Sequence, residues 1–169
     1  MDKINWFDRK FDFSADQNIL PTLIERLEGT PARLAEKLRK IEPDRYTIKP
    51  NGKWSILEHV GHLSDLEPLW QGRLDDILNG EQEMRPTDLS NRQTHEANHN
   101  EQSPRDLLDD FLMLREATIS SLRKLKVEDV FRSALHPRLK TPMRVIDLFL
   151  FVAEHDDHHL ASITELAAH

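Results

Sequence analysis

Near its C-terminus the chain carries Glu154-His155-Asp156-Asp157-His158-His159 inside an otherwise apolar run of Val145, Ile146, Leu148, Phe149, Leu150, Phe151 and Val152, resumed by Leu160, Ala161 and Ile163. Burying polar side chains without partners costs a few kcal/mol each, so this hexad demands compensation. At 100° per residue, Val145, Leu148, Val152, His155, His159, Ile163 and Leu166 share one helical stripe. Two imidazoles thus stand one turn apart where core residues belong, a spacing that lets both rings reach one metal ion. His158 falls off the stripe and reads as a neighbouring or surface residue. Asp156 lies near the inward face, where it could accept an Nδ1–H from a ligand histidine and fix its tautomer.

Two ligands do not make a tight catalytic site; three protein ligands and an open position do. A second polar segment supplies candidates, Lys53-Trp54-Ser55-Ile56-Leu57-Glu58-His59-Val60-Gly61-His62-Leu63. On a wheel, Ile56, Val60, Leu63, Trp70, Leu74 and Ile77 define the buried arc, with His59 near its middle and His62 near its edge. Periodicity slightly prefers His59 but does not decide, because Gly61 and Pro68 make the wheel unreliable. Ser55 and Glu58 form a capping-box pattern, and Glu67 suits a buried polar network near Pro68. Glu58, Glu67 and Asp156 are the carboxylates that could serve in catalysis.

A literal H-E-x-x-H, His95-Glu96-Ala97-Asn98-His99, could in principle bind zinc, but its surroundings lack the apolar residues that would pack such a helix. The milder reading has the connection bearing His95, Asn98 and His99 fold over the mouth of a pocket. His136-Pro137-Arg138-Leu139 is a further loop candidate, with Arg138 available to an anionic substrate.

The elements that must position these groups are helical. Glycine is scarce and no segment sustains period-2 alternation. Four main helices are predicted: roughly Ala15 to Ile41 with a break at Gly29-Thr30-Pro31, Thr30 serving as cap; Ser55 to Asn79-Gly80, kinked at Pro68; Ser103-Pro104 to about Leu125; and Thr141-Pro142 to about Ala167. Rods of ~30–40 Å suit a four-helix bundle. Connections of about 12, 23 and 15 residues join them, the long polar middle one running from Glu81 to Ser103.

At 169 residues, the chain fits one domain. It has no cysteine, which excludes disulfides, iron–sulfur clusters and a thiol nucleophile of its own. Net charge of −7 argues against nucleic-acid binding. Charges near the N-terminus, and no apolar run of ~20 residues, lead us to expect a cytoplasmic protein that does not span a membrane.

The segment Lys53 to Glu67, followed much later by Ala153-Glu154-His155-Asp156-Asp157-His158-His159-Leu160-Ala161-Ser162-Ile163, resembles the DinB-like (YfiT-like) superfamily from roughly Leu20 onward. The resemblance implies an all-α, up-down-down-up four-helix bundle. It maps that family's three metal-binding imidazoles onto His62, His155 and His159. It further implies a divalent transition metal (zinc or nickel first, iron or manganese next) and hydrolysis, or transfer of an external low-molecular-weight thiol, on a small-molecule substrate. The alternative function is non-catalytic metal binding in a stress response. Superfamily members often pair, so a homodimer is also expected. Trp6, Phe7, Phe11 and Phe13, within an extension over residues 1–14, are apolar enough to dock on the bundle or on a neighbour.

Overall fold

The computed structural model describes residues 3–168; Met1 and Asp2 of the N-terminal extension, and His169, lie outside the described residues. The α-helical segments are α1 (Leu20–Glu28), α2 (Thr30–Arg39), α3 (Ile56–Asn79), α4 (Arg92–Glu96), α5 (Pro104–Leu122) and α6 (Val145–Ala168). The four long arms are α1–α2, α3, α5 and α6. Two short strands, β1 (Ser133–Leu135) and β2 (Pro142–Arg144), pair antiparallel beside α6. The chain is therefore mostly helical and not strictly all-α. No helix among the described residues is long and apolar enough to cross a membrane.

Local chemistry explains most boundaries. Ser55 Oγ accepts the Glu58 N–H at 3.2 Å while Glu58 Oε2 accepts the Ser55 N–H at 2.8 Å, closing the capping box of α3. That helix runs unbroken through Pro68 and stops at Gly80, whose φ of +80° is open to glycine at little cost. Ser103 caps α5 through the Asp106 N–H at 3.0 Å.

Three expectations are corrected. The first arm begins at Leu20 rather than Ala15, after Asn18 Oδ1 takes the Leu20 N–H at 3.0 Å. Thr30 does not cap; its hydroxyl donates to Asp156 Oδ2 at 2.8 Å, in the protein interior. Thr141-Pro142 does not start the last helix. Pro142 opens β2, a position that needs no ladder donor, and α6 starts at Val145 with Asp147 accepting the Arg144 N–H at 2.9 Å. Strands of three residues are too short to leave a readable alternation.

The apolar core falls into two clusters. One gathers Leu27, Trp70, Leu74, Ile119, Phe149 and Val152; the other gathers Leu34, Val60, Leu63, Phe111, Leu160 and Ile163. Between them, every long arm contributes buried polar residues. Arg115 of α5 is 1% exposed. It donates from Nε and Nη2 to Glu67 Oε1 at 2.9 and 2.6 Å, and from Nη1 and Nη2 to Asp156 at 2.6 and 3.1 Å. A further bond from Nη1 to the Leu27 carbonyl, at 3.1 Å, adds α1. Thr118 Oγ1 donates to Glu67 Oε2 at 2.5 Å. Burial pushes the Glu67 carboxyl up, against the pull of Arg115.

Breaking a buried pair from one side leaves its partners charged and unpaired. Arg115→Met strands two carboxylates and is expected to lower the unfolding free energy by about 3–5 kcal/mol. Urea denaturation checks this, and a loss below ~1 kcal/mol contradicts the assignment.

Candidate metal centre

Along α6, the polar residues of the hexad are taken up by several elements. Glu154 pairs with Arg26 at 2.6 Å and with Arg9. Asp157 pairs with Arg33 at 2.7 Å and with Arg26. Asp156 turns to Arg115 and Thr30, so it receives no imidazole N–H and does not orient a ring. His155 and His159 face α3.

There they meet His62. Each of the three offers a ring nitrogen, and these atoms lie within 4.8 Å of one another; no other such group of His, Asp and Glu occurs among the described residues. His155 Nε2 and His159 Nε2 are 3.1 Å apart. Two nitrogens held tetrahedrally at zinc bond length are separated by about 3.3 Å, so the spacing fits a shared ion. All three rings are buried.

The second ring nitrogens show how each imidazole is held. His62 Nδ1 lies 2.9 Å from Thr94 Oγ1, whose own hydroxyl donates to Asp65 Oδ2 at 2.7 Å. Thr94 therefore accepts from His62, placing the proton on Nδ1 and leaving Nε2 with its lone pair. His99 Nε2 donates to the same Asp65 oxygen at 2.9 Å. The His99 ring can sit there only because residue 61 is glycine, since a Cβ would come within 2.3 Å of it. On the other side, His59 Nδ1 and His159 Nδ1 are 2.8 Å apart, so His59 contacts the cluster through His159. The geometry thus brings His62 into the three-ring group and sets His59 behind it. His155 Nδ1 is buried without a hydrogen-bond partner.

Burial is the leading cause of low basicity here. It pushes His59 down to about 3 and His62 to about 4, and holds His155 and His159 well below the usual imidazole range. Neutral imidazoles are the form that ligates metal.

The cluster lines a cavity of about 390 Å³ walled by Trp6, Trp54, Trp70 and Phe151. Trp6 packs edge-on against Phe151 and His155, with ring centroids 4.9 and 5.0 Å apart. His158 is half-buried on this wall rather than on the outer surface. Phe7 and the half-buried Arg138 also reach the cavity.

The remaining candidates sit elsewhere. Glu58 is occupied by the capping box and by Lys49 at 2.6 Å, and Glu67 by Arg115. His95 and Glu96 are exposed on α4, and Asn98, with φ +53°, breaks the backbone before His99. The H-E-x-x-H residues therefore do not share a helical face. Pro86, Thr87, Asp88, Leu89 and Asn91, earlier in the same connection, supply part of the cavity wall instead. Sequence reasoning missed Thr94, Asp65 and Arg73; the first two lie in or beside patterns that were read for other purposes.

In the metal-free protein these imidazoles link stability to pH. As pH falls through about 6.5 the unfolded chain protonates its histidines while the buried ones stay neutral, so the folded state loses ground. The unfolding free energy should fall between about pH 6.5 and 4, by up to ~1.4 kcal/mol per unit for each ring that stays neutral. Urea unfolding after chelation, at pH 7.5 and 5, measures this; equal stability at both contradicts it.

The family model of the DinB superfamily matches residues 26–163. No curated protein matches the chain. Among solved structures, one similar chain is YfiT from Bacillus subtilis, described as a probable metal-dependent hydrolase with an unusual four-helix bundle topology. The two share 25% sequence identity and superpose with a TM-score of 0.80, covering 95% of this chain and 92% of YfiT. With the matched region spanning most of the chain and the long helices arranged as in that bundle, the protein belongs to the DinB superfamily.

Proposed function

We propose that this protein is a metal-dependent enzyme in which His62, His155 and His159 hold one divalent transition ion, zinc or nickel before iron or manganese, for hydrolysis of a small molecule. The observation that carries the reading is the 3.1 Å approach of His155 Nε2 to His159 Nε2, with a His62 nitrogen within 4.8 Å and all three rings buried. Three imidazoles add no negative charge, so a bound ion keeps its Lewis acidity toward water or an external thiol.

The protein's own groups prepare the site. Thr94 and Asp65 fix the His62 tautomer and aim its free nitrogen at the other two rings. His59 holds the far side of His159. Trp6, Trp54 and Trp70 line the cavity and give an apolar substrate a surface to lie on. His158, on the same wall and pushed down to about 4 by burial, is uncharged at neutral pH. An up-down-down-up order of the long helices belongs to this proposal, and the relative described as a probable metal-dependent hydrolase with an unusual four-helix bundle topology supports it.

Thiol transfer is the second reading. The chain has no cysteine, so a thiol nucleophile would come from outside, and among the described residues no carboxylate joins the three rings in the ligand group.

Elemental analysis and zinc titration test the proposal. One ion per chain is expected, lost in His62→Ala, His155→Ala and His159→Ala with helical circular dichroism retained, and kept in His59→Ala with affinity reduced by about 10–100-fold. Native protein that neither carries nor takes up zinc or nickel overturns it.

A further inference from the structure

The cavity has a second end, away from the three imidazoles. Arg73 of α3 lines it and is 1% exposed, as buried as Arg115. The two guanidiniums are treated very differently. Arg115 faces two carboxylates, whereas Arg73 forms no ion pair among the described residues. Asp76, one turn along the same helix, is taken up by Arg85, which reaches its Oδ1 and Oδ2 at 2.7 and 2.9 Å. Arg73 Nε donates to the Arg85 carbonyl at 3.1 Å, and Nη2 has no partner at all.

The remaining nitrogen, Nη1, lies 3.2 Å from His136 Nε2. His136 Nδ1 accepts the backbone N–H groups of Arg138 and Leu139 at 3.2 and 3.1 Å. A neutral ring that accepts at Nδ1 carries its proton on Nε2. Burial and the adjacent Arg73 push His136 down to about 4, so neutral is its state at ordinary pH. Two N–H donors therefore meet on the cavity wall with no acceptor of their own. Asp76 favours the Arg73 charge only from beyond ion-pair distance, so burying this cation stays costly and an anionic oxygen at this point lowers the cost.

We propose that Arg73 and His136 form a carboxylate-binding end of the cavity, so that the substrate is a small carboxylic acid held with its reactive part toward His155 and His159. The second half of this statement rests on the metal reading; the carboxylate site does not. Trp70 spans the two ends, its ring centroid 5.5 Å from Arg73 Cζ and 5.7 Å from the His155 ring. An apolar linker lying on that indole joins an anchored carboxylate to the cluster. Two donors match the two oxygens of a carboxylate monoanion, and aromatic walls disfavour a phosphate dianion. Arg138, its Cζ 5.3 Å from the Phe7 ring, adds positive field at the rim. Asp88, on the same wall, is turned to the backbone N–H groups of Ser90 and Arg92, each at 2.9 Å.

Calorimetric titration with benzoate, benzamide and phenyl phosphate, on zinc-loaded and on chelator-treated protein, tests the site. Benzoate should bind the metal-free protein at one site, with benzamide at least about tenfold weaker because it forfeits the charged hydrogen bonds. Arg73→Met should weaken benzoate by about 10–100-fold while holding or raising the thermal midpoint, since it removes an uncompensated buried charge. His136→Phe, which keeps the ring and loses the N–H, should weaken benzoate without changing zinc stoichiometry. Equal affinity for benzoate and benzamide, preference for phenyl phosphate, or unchanged affinity in Arg73→Met overturns the proposal. Arg73-dependent benzoate binding without zinc uptake overturns the metal reading alone. Zinc uptake without Arg73-dependent benzoate binding overturns the carboxylate site alone.

Discussion

One guanidinium sets the frame on which everything else rests. Arg115 bridges Glu67 on α3 and Asp156 on α6, reaches the Leu27 carbonyl at the end of α1, and through Asp156 engages Thr30 at the start of α2. Every long arm of the bundle therefore meets at one charged point. A charge so deeply buried tolerates little displacement, because each lost bond leaves an uncompensated ion in a medium of low polarity. The register of α3 against α6 is thereby held at the level where the functional rings project. His155 is the immediate neighbour of Asp156 in sequence, so the anchored helix carries it at the same level of the bundle. This is a specificity device more than a source of net stability, since a well-packed apolar substitute for all three charges could be equally stable.

A second constraint acts through the ring nitrogens that face away from the cluster. Imidazole is useful to a metal only when the nitrogen aimed at it carries no proton. Around His62 that choice is made by Thr94 and Asp65, with His99 sharing the same carboxylate over Gly61. The polar connection between α3 and α5 thus has a definite structural task. It brings Thr94 and His99 back onto α3 and contributes cavity wall, although its H-E-x-x-H pattern forms no site.

Much of this was legible beforehand, for identifiable reasons. The α6 stripe placed His155 and His159 inward because helical periodicity over a long apolar run is a strong signal. The capping box at Ser55 and the Ser103-Pro104 start were readable because they depend on local chemistry. The choice between His59 and His62 was not, since both lie near the buried arc and only contacts from other elements distinguish them. The partners of Asp156, Arg115 and Thr30, were not readable for the same reason: periodicity gives a direction but not the residue waiting there. The β1–β2 pair escaped notice because three-residue strands carry no pattern. Arg73 gave no signal either, as an arginine on an amphipathic helix ordinarily reads as solvated surface.

The outcome is a cavity with chemistry at both ends, a neutral imidazole cluster and an unpaired guanidinium, joined by aromatic walls. Its central claim, a three-imidazole ion site with an open position, is tested most directly by X-ray absorption at the metal edge of the zinc- or nickel-loaded protein. The account predicts three imidazole nitrogens at about 2.0–2.1 Å with at least one further light atom that exchanges when an external ligand is added. A fully protein-ligated shell, a first shell of carboxylates, or fewer than three imidazoles would contradict it.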